Sequence, residues 1–305
     1  MSSSARSGLR RLAFATWSRR PELTADDRRA AEALRRLGHR VEPIPWDAAG
    51  VAWAAFDAVV VRSVWDYHLR PAEFLRWVEA VDRAGTPLLN PAVALRWNHH
   101  KSYLRDLAAR GVETVPTLWL ARGAETDLLR LLTERGWPEA VVKPAVSASA
   151  YETWGISGAP ALADQRRLEA LLDAGEVLVQ PLLLEVRSRG EWSLVFFGGA
   201  FSHAMLKRPR AGDFRVQEEL GGRAEPADPP PGLVEQAARA LAAAAAPCLY
   251  ARVDGVERAG QLLLMELELI EPVLYFGADP AAPARFAAAL GGALGEGRVS
   301  HSHLE

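Results

Sequence analysis

Between residues 9 and 84, strand-length apolar runs alternate with amphipathic helical ones, and this alternation leaves few folds open to the chain. Residues 9–17 form a short apolar segment, and residues 26–38 read as an amphipathic helix closed by Gly38. Residues 41–45 suggest a second strand. Residues 56–62 (FDAVVVR) suggest a third, buried one, because the β-branched run lacks polar alternation. Residues 71–84 return to helical spacing, with Phe74, Leu75, Val78 and Val81 on one face. Strand–helix–strand order implies an α/β unit, a parallel sheet covered by helices. Such sheets take ligands beyond their strand ends, which makes Arg62, Ser63, Trp65 and Asp66 candidate substrate contacts.

After Leu88-Leu89-Asn90-Pro91 the pattern turns α+β. Asn98 is placed to cap a helix over 99–110 that Gly111 stops. A strand (114–120), a helix (126–135), a strand (140–144), a loop without helical period (145–160), a helix (166–173) and a strand (176–181) follow. Residues 192–197 and 200–206, joined at Gly198-Gly199, read as a hairpin. Residues 207–231 read as one long polar loop, a feature that is usually functional or disordered. A helix (233–246), two strands (250–256 and 261–270) and a last helix (283–294) complete the chain. The expected organisation is a first domain over 1–92 and a second over 93–305, with a lid near 113–180.

The last strand pair carries the densest chemistry. Glu266 and Glu268 share one face of their strand, and Arg252 and Asp254 share one face of the neighbour. A turn near 258–260 sets Arg252 opposite Glu266, with Asp254 diagonal to it. Carboxylates crowded this way are costly unless a cation sits among them, and hard oxygen donors suit magnesium. A solvent-facing hairpin with ordinary polar alternation is the alternative. Lys143 ends a buried strand in V-V-K-P and is a phosphate candidate, as is Lys101 on the helix after Asn98. The apolar segment containing Gln180, Pro181, Leu182 and Leu183 suits a flat heterocycle, and Glu191 a ribose hydroxyl. His203, Lys207, Arg208, Arg210 and Arg215, with Asp213 and Gln217, form a basic concentration able to close over phosphate or carboxylate.

Composition removes other classes. At 305 residues the chain has room for two domains, and its net charge of -2 gives no polycation for nucleic acid or an anionic membrane. A single cysteine, Cys248, excludes an intrachain disulfide and a cysteine-based zinc site. No segment reads as a signal peptide or membrane span, so a cytoplasmic protein is expected. Walker-type, G-x-S-x-G and H-E-x-x-H motifs are missing, and the pairs His99-His100 and His301/His303 read as surface histidines.

Taken in order, these segments resemble the ATP-grasp superfamily over nearly the whole chain. The resemblance implies an ATP-grasp fold with an N-terminal, Rossmann-like pre-ATP-grasp domain and a small α+β lid. It further implies that Lys101, Lys143 and Lys207 contact ATP phosphates, and Ser147 and Ser149 approach them. Gln180 to Leu183 would hold adenine and Glu191 ribose, while Asp254, Glu266 and Glu268 would bind magnesium or manganese. Arg252 and Arg215 would steady the transferring phosphoryl group or the carboxylate, and His203 would join Arg62, Ser63, Trp65 and Asp66 in substrate binding. R-S-V-W at 62–65, G-E with Phe196-Phe197, S-H-A at 202–204, G-D-F-R at 212–215 and E-L-E-L-I-E-P at 266–272 are similar to the cyclo-ligases of cycloserine biosynthesis, which act on O-ureido-serine. RimK-like and glutathione-synthetase-like proteins are more distant resemblances. The chain departs from the superfamily in having Glu268 where asparagine is usual, a change the cyclo-ligase group shares, and in a lid loop at 145–151 without glycine. The implied reaction is carboxylate activation as an acyl phosphate followed by attack of a nitrogen nucleophile, in a monomer or homodimer. An intermolecular amino-acid ligase and a non-catalytic nucleotide-binding module are the alternatives.

Overall fold

The computed structural model describes residues 9–217 and 220–295; His301 and His303 lie outside them. Three four- or five-stranded sheets build the protein. The first contains β1 (Arg11–Thr16), β2 (Arg40–Pro45), β3 (Ala58–Val61) and β4 (Leu88–Leu89), all parallel, in the order β2-β1-β3-β4. Helix α1 (Ala25–Arg36) is capped by Thr24, whose hydroxyl accepts from the Asp27 amide, and the chain leaves it through Gly38 at φ 91°. Helix α2 (Pro71–Arg83) begins with proline, whose missing N–H costs nothing in a first turn. Side-chain alternation splits β1 between two cores: Leu12 and Phe14 pack with α1, Ala13 and Ala15 with Trp46, Phe74 and Trp77.

Helices α3 (Ala92–Asn98) and α4 (Tyr103–Ala109) lead into the second sheet. Its strands are β5 (Leu118–Leu120), β6 (Glu139–Pro144), β7 (Trp154–Ser157) and β8 (Val177–Pro181), antiparallel in the order β5-β8-β6-β7. Helices α5 (Leu128–Arg135) and α6 (Leu162–Ala174) pack on this sheet and give it a core of its own around Leu132, Val142, Ile156 and Leu168. After α7 (Leu184–Ser188), the third sheet comprises β9 (Glu191–Phe197), β10 (Ala200–Arg208), β11 (Arg223–Pro226), β12 (Tyr250–Arg258) and β13 (Gln261–Glu268). Its antiparallel order is β11-β10-β9-β12-β13, with α8 (Pro231–Ala242) and α9 (Ala282–Ala293) against it. Among the described residues no helix is long and apolar enough to cross a membrane.

Several expectations need correction. Asn98 does not cap a helix over 99–110; it is the last residue of α3, and α4 starts only at Tyr103. Its amide is occupied elsewhere, donating to the Leu267 carbonyl at 2.7 Å and accepting from the Leu269 amide at 2.9 Å. The stretch 145–160 contains β7, whose four residues W-G-I-S alternate too briefly to stand out. The polar stretch 207–231 begins inside β10 and contains β11, an edge strand with mostly exposed side chains and hence no apolar signature. Strand β5 is shorter than expected, because Thr114 leaves it to bridge Leu264 of β13.

The first and third sheets are joined by buried polar contacts. Asn90, fully buried, donates to the carbonyls of Tyr250 and Leu269, each at 2.8 Å, and accepts from the Tyr250 amide at 3.2 Å. The Tyr250 hydroxyl in turn shares its one proton between the carbonyls of Val61 and Ile270, both within hydrogen-bond distance. Asn90→Ala strands three buried backbone groups at once, so it should lower the unfolding free energy by about 2–4 kcal/mol. Urea denaturation of wild type and variant measures this, and a loss below about 1 kcal/mol would contradict it.

Candidate active site

Strands β12 and β13 form one wall of a cavity of about 560 Å³. Asp254 lies opposite Glu266 and Arg252 opposite Glu268, so all four side chains project from one face. This corrects the expected register of Arg252 against Glu266. Gly255 pairs with Leu264 but Asp254 with Glu266, leaving Met265 as the extra residue of a bulge, and hairpin spacing alone does not reveal a bulge. Ser193 of β9 adjoins Asp254 in register, and its hydroxyl donates to that carboxylate. Glu191 pairs with Lys207 of β10. Gly190, at φ 98°, allows that approach, since a Cβ there would stand 2.7 Å from the Lys207 carbonyl.

Every carboxylate of this row has a basic partner. Lys207 Nζ stands 2.5 Å from Glu191 and 3.6 Å from Asp254. Arg252 grips Asp254 at 2.9–3.1 Å and also contacts Glu268. Glu266 accepts from Lys101 at 2.6 Å and lies 3.5 Å from Lys143. Burial alone would raise Glu266, but these two ammonium groups hold it down to about 2. Burial lowers Lys143, and Glu266 offsets this only in part. Burial would likewise lower Lys207, yet Asp254 and Glu191 keep it above its ordinary value. The crowding inferred from the sequence is therefore relieved by protein cations. Among the described residues, no three His, Cys, Asp or Glu side chains are grouped so that they could hold a metal ion as they stand. The donor chemistry does fit a hard dication, because Asp254, Glu266 and Glu268 offer carboxylate oxygens from one wall of the cavity.

The second sheet supplies the facing wall. Lys143 is the penultimate residue of β6, and Gln180 and Pro181 end β8, followed by Leu182 and Leu183 along the cavity. Leu183 belongs to an apolar cluster with Val186, Val216 and Leu263, against which Met265 packs. Ser147 and Ser149 line the cavity from the loop after β6. That loop places Ser149, Ala150 and Glu152 at φ 49–55°, a conformation glycine adopts most readily, so the missing glycines are replaced by strained L-residues. Its start is tied down, with the Lys101 amide donating to the Ala145 carbonyl at 2.8 Å. Its far end reaches the first sheet's surroundings, where Ala148 packs on the core containing Trp46 and Tyr151 lies 5.1 Å from the His68 ring.

Arg215 also lines the cavity, paired with Asp213 at 2.9 Å, on a segment anchored by Val216. Arg208, by contrast, is an exposed residue facing Glu225 at 3.6 Å. Of the expected substrate residues only Trp65 is on the wall. Arg62 is buried against Asp27 at 2.8 Å and the Pro272 carbonyl. Ser63 is buried beside it, Asp66 accepts from Trp46 and Arg70, and His203 meets the Leu274 carbonyl. Trp17 and Tyr103, not singled out from the sequence, take those places together with Tyr67 and Glu271. Trp17 follows β1 as Trp65 follows β3, so the strand-end rule that selected Trp65 applies to both.

Known proteins share this arrangement. Residues 12–90 match the family described as "D-cycloserine synthetase DcsG, N-terminal domain". The cycloserine biosynthesis protein DcsG of Streptomyces lavendulae is 36% identical over 275 residues, covering 85% of this chain and 90% of that protein. The crystal structure of D-cycloserine synthetase DcsG matches with a TM-score of 0.83 at 33% identity, over 93% of this chain and 99% of that one. D-alanine–D-alanine ligase from Bacillus anthracis, complexed with ATP, shares the fold at a TM-score of 0.66 and 16% identity, over 92% and 94% of the two chains. A parallel sheet and two antiparallel ones around a charged cavity thus define an ATP-grasp ligase, an enzyme forming a C–N bond. More narrowly, the chain belongs to the DcsG family.

The segment carrying Arg215 depends on one small residue of the second sheet. A Cβ at Gly155 of β7 would stand 2.8 Å from the Phe214 ring. Gly155→Val should therefore displace Phe214 at a cost of about 1–2 kcal/mol and speed limited proteolysis within 208–222 by roughly tenfold, with the circular dichroism spectrum unchanged. An unaltered cleavage rate would show that Phe214 does not hold the segment.

Proposed function

We propose that this enzyme activates a substrate carboxylate with ATP as an acyl phosphate, and that a nitrogen of the same molecule then displaces phosphate and closes a ring. The observation that carries this reading is the set of buried cations, Lys101, Lys143, Lys207 and Arg252, paired with carboxylates in a cavity that Pro181, Leu182 and Leu183 also line. Such a set can change partners, the cations turning to a polyphosphate and the carboxylates to a dication. The intramolecular part rests on kinship with DcsG along nearly the full length of both chains.

In this reading Lys101, Lys143 and Lys207 hold phosphate oxygens, with the Ser147 and Ser149 hydroxyls beside them. Gln180, Pro181, Leu182 and Leu183 offer apolar surface and backbone groups to adenine, and Glu191 accepts from ribose. ATP-grasp ligases use ATP and a divalent metal, which together supply the phosphoryl group and the charge neutralisation that activate the carboxylate. Asp254, Glu266 and Glu268 would hold that metal, magnesium or manganese. Arg252, fixed by Asp254 and by the Val273 carbonyl, and Arg215 present guanidinium forks to phosphoryl or carboxylate oxygens. The loop 145–152, closing toward Trp65 and Tyr67, excludes water from the activated carboxylate.

Coupled ADP release from O-ureido-serine and a panel of amino acids tests the activity. Turnover of a single compound alone is expected, and an obligatory second amine would refute ring closure. Glu266→Gln should lower kcat at least about 100-fold. Because Glu266 balances Lys101 and Lys143, the variant should also lose on the order of 2 kcal/mol of ligand-free stability. Stabilisation by magnesium and ATP should fall with it. Wild-type ADP release from this variant would end the proposal.

A further inference from the structure

Ser202 and His203 are neighbours in β10, where successive side chains ordinarily project to opposite faces. Here they touch, Ser202 Oγ standing 2.9 Å from His203 Nδ1. The register supplies the reason. Phe201 pairs with Phe196 and His203 with Val195, so Ser202 is the extra residue of a bulge, which re-aims its side chain. The same hydroxyl accepts from Arg285 Nε of α9 at 2.8 Å, and Arg285 is held by Asp279 at 2.5 Å. On its other side the imidazole places Nε2 2.9 Å from the Leu274 carbonyl. None of these five residues lines the cavity.

Proton counting gives this chain a direction. A carbonyl only accepts, so His203 Nε2 carries a proton. A guanidinium only donates, so the Ser202 oxygen accepts from Arg285 and its own proton is free to point at Nδ1. The neutral Nε2–H imidazole therefore completes every bond, each group donating to the next from Arg285 through Ser202 and His203 to Leu274. An imidazolium would turn a second N–H toward Ser202 and set its charge near that of Arg285. Among the described residues, the ring faces Arg285 and Asp279 at α9, the Tyr275 backbone beyond β13 and, from β9, the Phe197 ring at 6.2 Å. Burial and Arg285 lower the His203 pKa against the pull of the Leu274 carbonyl and Asp279, which favours the neutral form.

The bond to Leu274 matters because of the residue that follows. Tyr275 has a φ of 49°, a conformation that a bulky side chain keeps only where its surroundings over-determine it. Both neighbours are held: Leu274 by His203, and Phe276 by stacking on Phe197 with ring centroids 5.6 Å apart. Thus pinned, Tyr275 stands on the cavity wall with its ring 5.8 Å from the Arg252 guanidinium. Arg252 in turn donates to the carbonyl of Val273, beside Leu274.

We propose that Arg285, Ser202 and His203 form a positioning relay outside the cavity, which fixes His203 as the Nε2–H tautomer and, through the Leu274 carbonyl, holds Tyr275 against Arg252. The inference rests on the ligase reading above for the task of Arg252 and adds the residues that keep its guanidinium in place. His203 touches no reactant and is a positioning residue.

Nitrogen-15 spectra of the full-length protein read the tautomer without any turnover, the His203 signal being the one lost in His203→Gln. It should be that of a neutral Nε2–H imidazole at pH 7. Arg285→Met removes the like charge and Ser202→Ala the donor to Nδ1, so each should move the protonation midpoint upward. An Nδ1–H or doubly protonated ring in wild type, or unmoved midpoints in both variants, overturns the relay. Its effect on the cavity is read by two amides. Glutamine reaches the Nε2 position and keeps a donor for Leu274, whereas asparagine reaches only the Nδ1 position. In ADP release with O-ureido-serine, His203→Gln should keep kcat within about threefold of wild type. His203→Asn should lower kcat about tenfold, with the KM for ATP within about threefold in both. Equal kcat in the two variants refutes the link to Arg252. Should His203→Asn not fold, Ser202→Ala replaces it, with kcat lowered about threefold expected and an unchanged kcat refuting the link. If wild type released no ADP, the ligase reading would fail, and the spectra would still decide the relay.

Discussion

Strand β13 lies at the edge of its sheet, with β12 on one side and no strand on the other. The backbone groups along that free edge must still be satisfied, because they are buried under neighbouring elements. Side chains do this one group at a time. The Leu267 amide donates to the Tyr103 hydroxyl, Asn98 takes the Leu267 carbonyl and the Leu269 amide, and Asn90 takes the Leu269 carbonyl. Further back, the Leu264 amide donates to the Glu113 carbonyl and the Leu264 carbonyl accepts from the Val115 amide. Residues 90–115 thus act in place of an extra strand. The same stretch carries Lys101, so the contacts that fix the Glu266 backbone also deliver the lysine that pairs with it. A strand partner would have satisfied the edge equally well, but its side chains alternate to opposite faces. A turn between two helices brings an ammonium group over the edge instead.

The charge cluster follows from that arrangement. Burying ions costs several kcal/mol each unless geometry and further hydrogen bonds repay it. Here, Lys101 and Lys143 face Glu266, Lys207 faces Glu191 and Asp254, and Arg252 spans Asp254 and Glu268, so the cavity is close to neutral without any ligand. Balance of this kind serves two purposes at once. It keeps the cavity folded before a ligand arrives, and it stores cations in positions a polyphosphate could claim.

What the sequence made legible follows the range of each interaction. Elements set by periodicity and caps were read closely: α1, α2, β3 and β12 lie where apolar spacing, Gly38 and the β-branched run put them. Asp254, Glu266 and Glu268 line one cavity, as strand position and residue type alone suggest, and Lys143 and Glu191, singled out separately as a strand-end lysine and a glutamate before Trp192, line it too. The bulge at Met265, the role of Asn98 and the short strands β7 and β11 were not legible. Each is decided by a partner distant in sequence: Asn98 by residues 267 and 269, β11 by β10, and β7 by β6. Capping suits an asparagine chemically, but the Leu267 carbonyl of β13 and the Leu269 amide just beyond it make the stronger claim on the Asn98 amide.

Two of the residues expected to touch substrate but absent from the cavity wall, Arg62 and His203, share a task. Beyond β13 the chain runs as a strap in which three successive carbonyls are held by long polar side chains. Arg62 donates to Pro272 at 2.8 Å, Arg252 to Val273 at 3.0 Å, and the His203 Nε2–H to Leu274 at 2.9 Å. These donors come from the residue after β3 of the first sheet and from β12 and β10 of the third, so the strap is fixed from both sheets. Arg62 is itself oriented by Asp27 and by the Tyr250 ring, 5.0 Å from its guanidinium. The strap bears Glu271 at one end and Tyr275 at the other, both on the cavity wall. Arg62 and His203 therefore act on the cavity through the backbone they hold, one residue removed from the position the sequence suggested for them. A strand-end arginine has two uses, reaching into the crevice or bracing what crosses it. The strap carbonyls, which would be unsatisfied when buried, decide for the second.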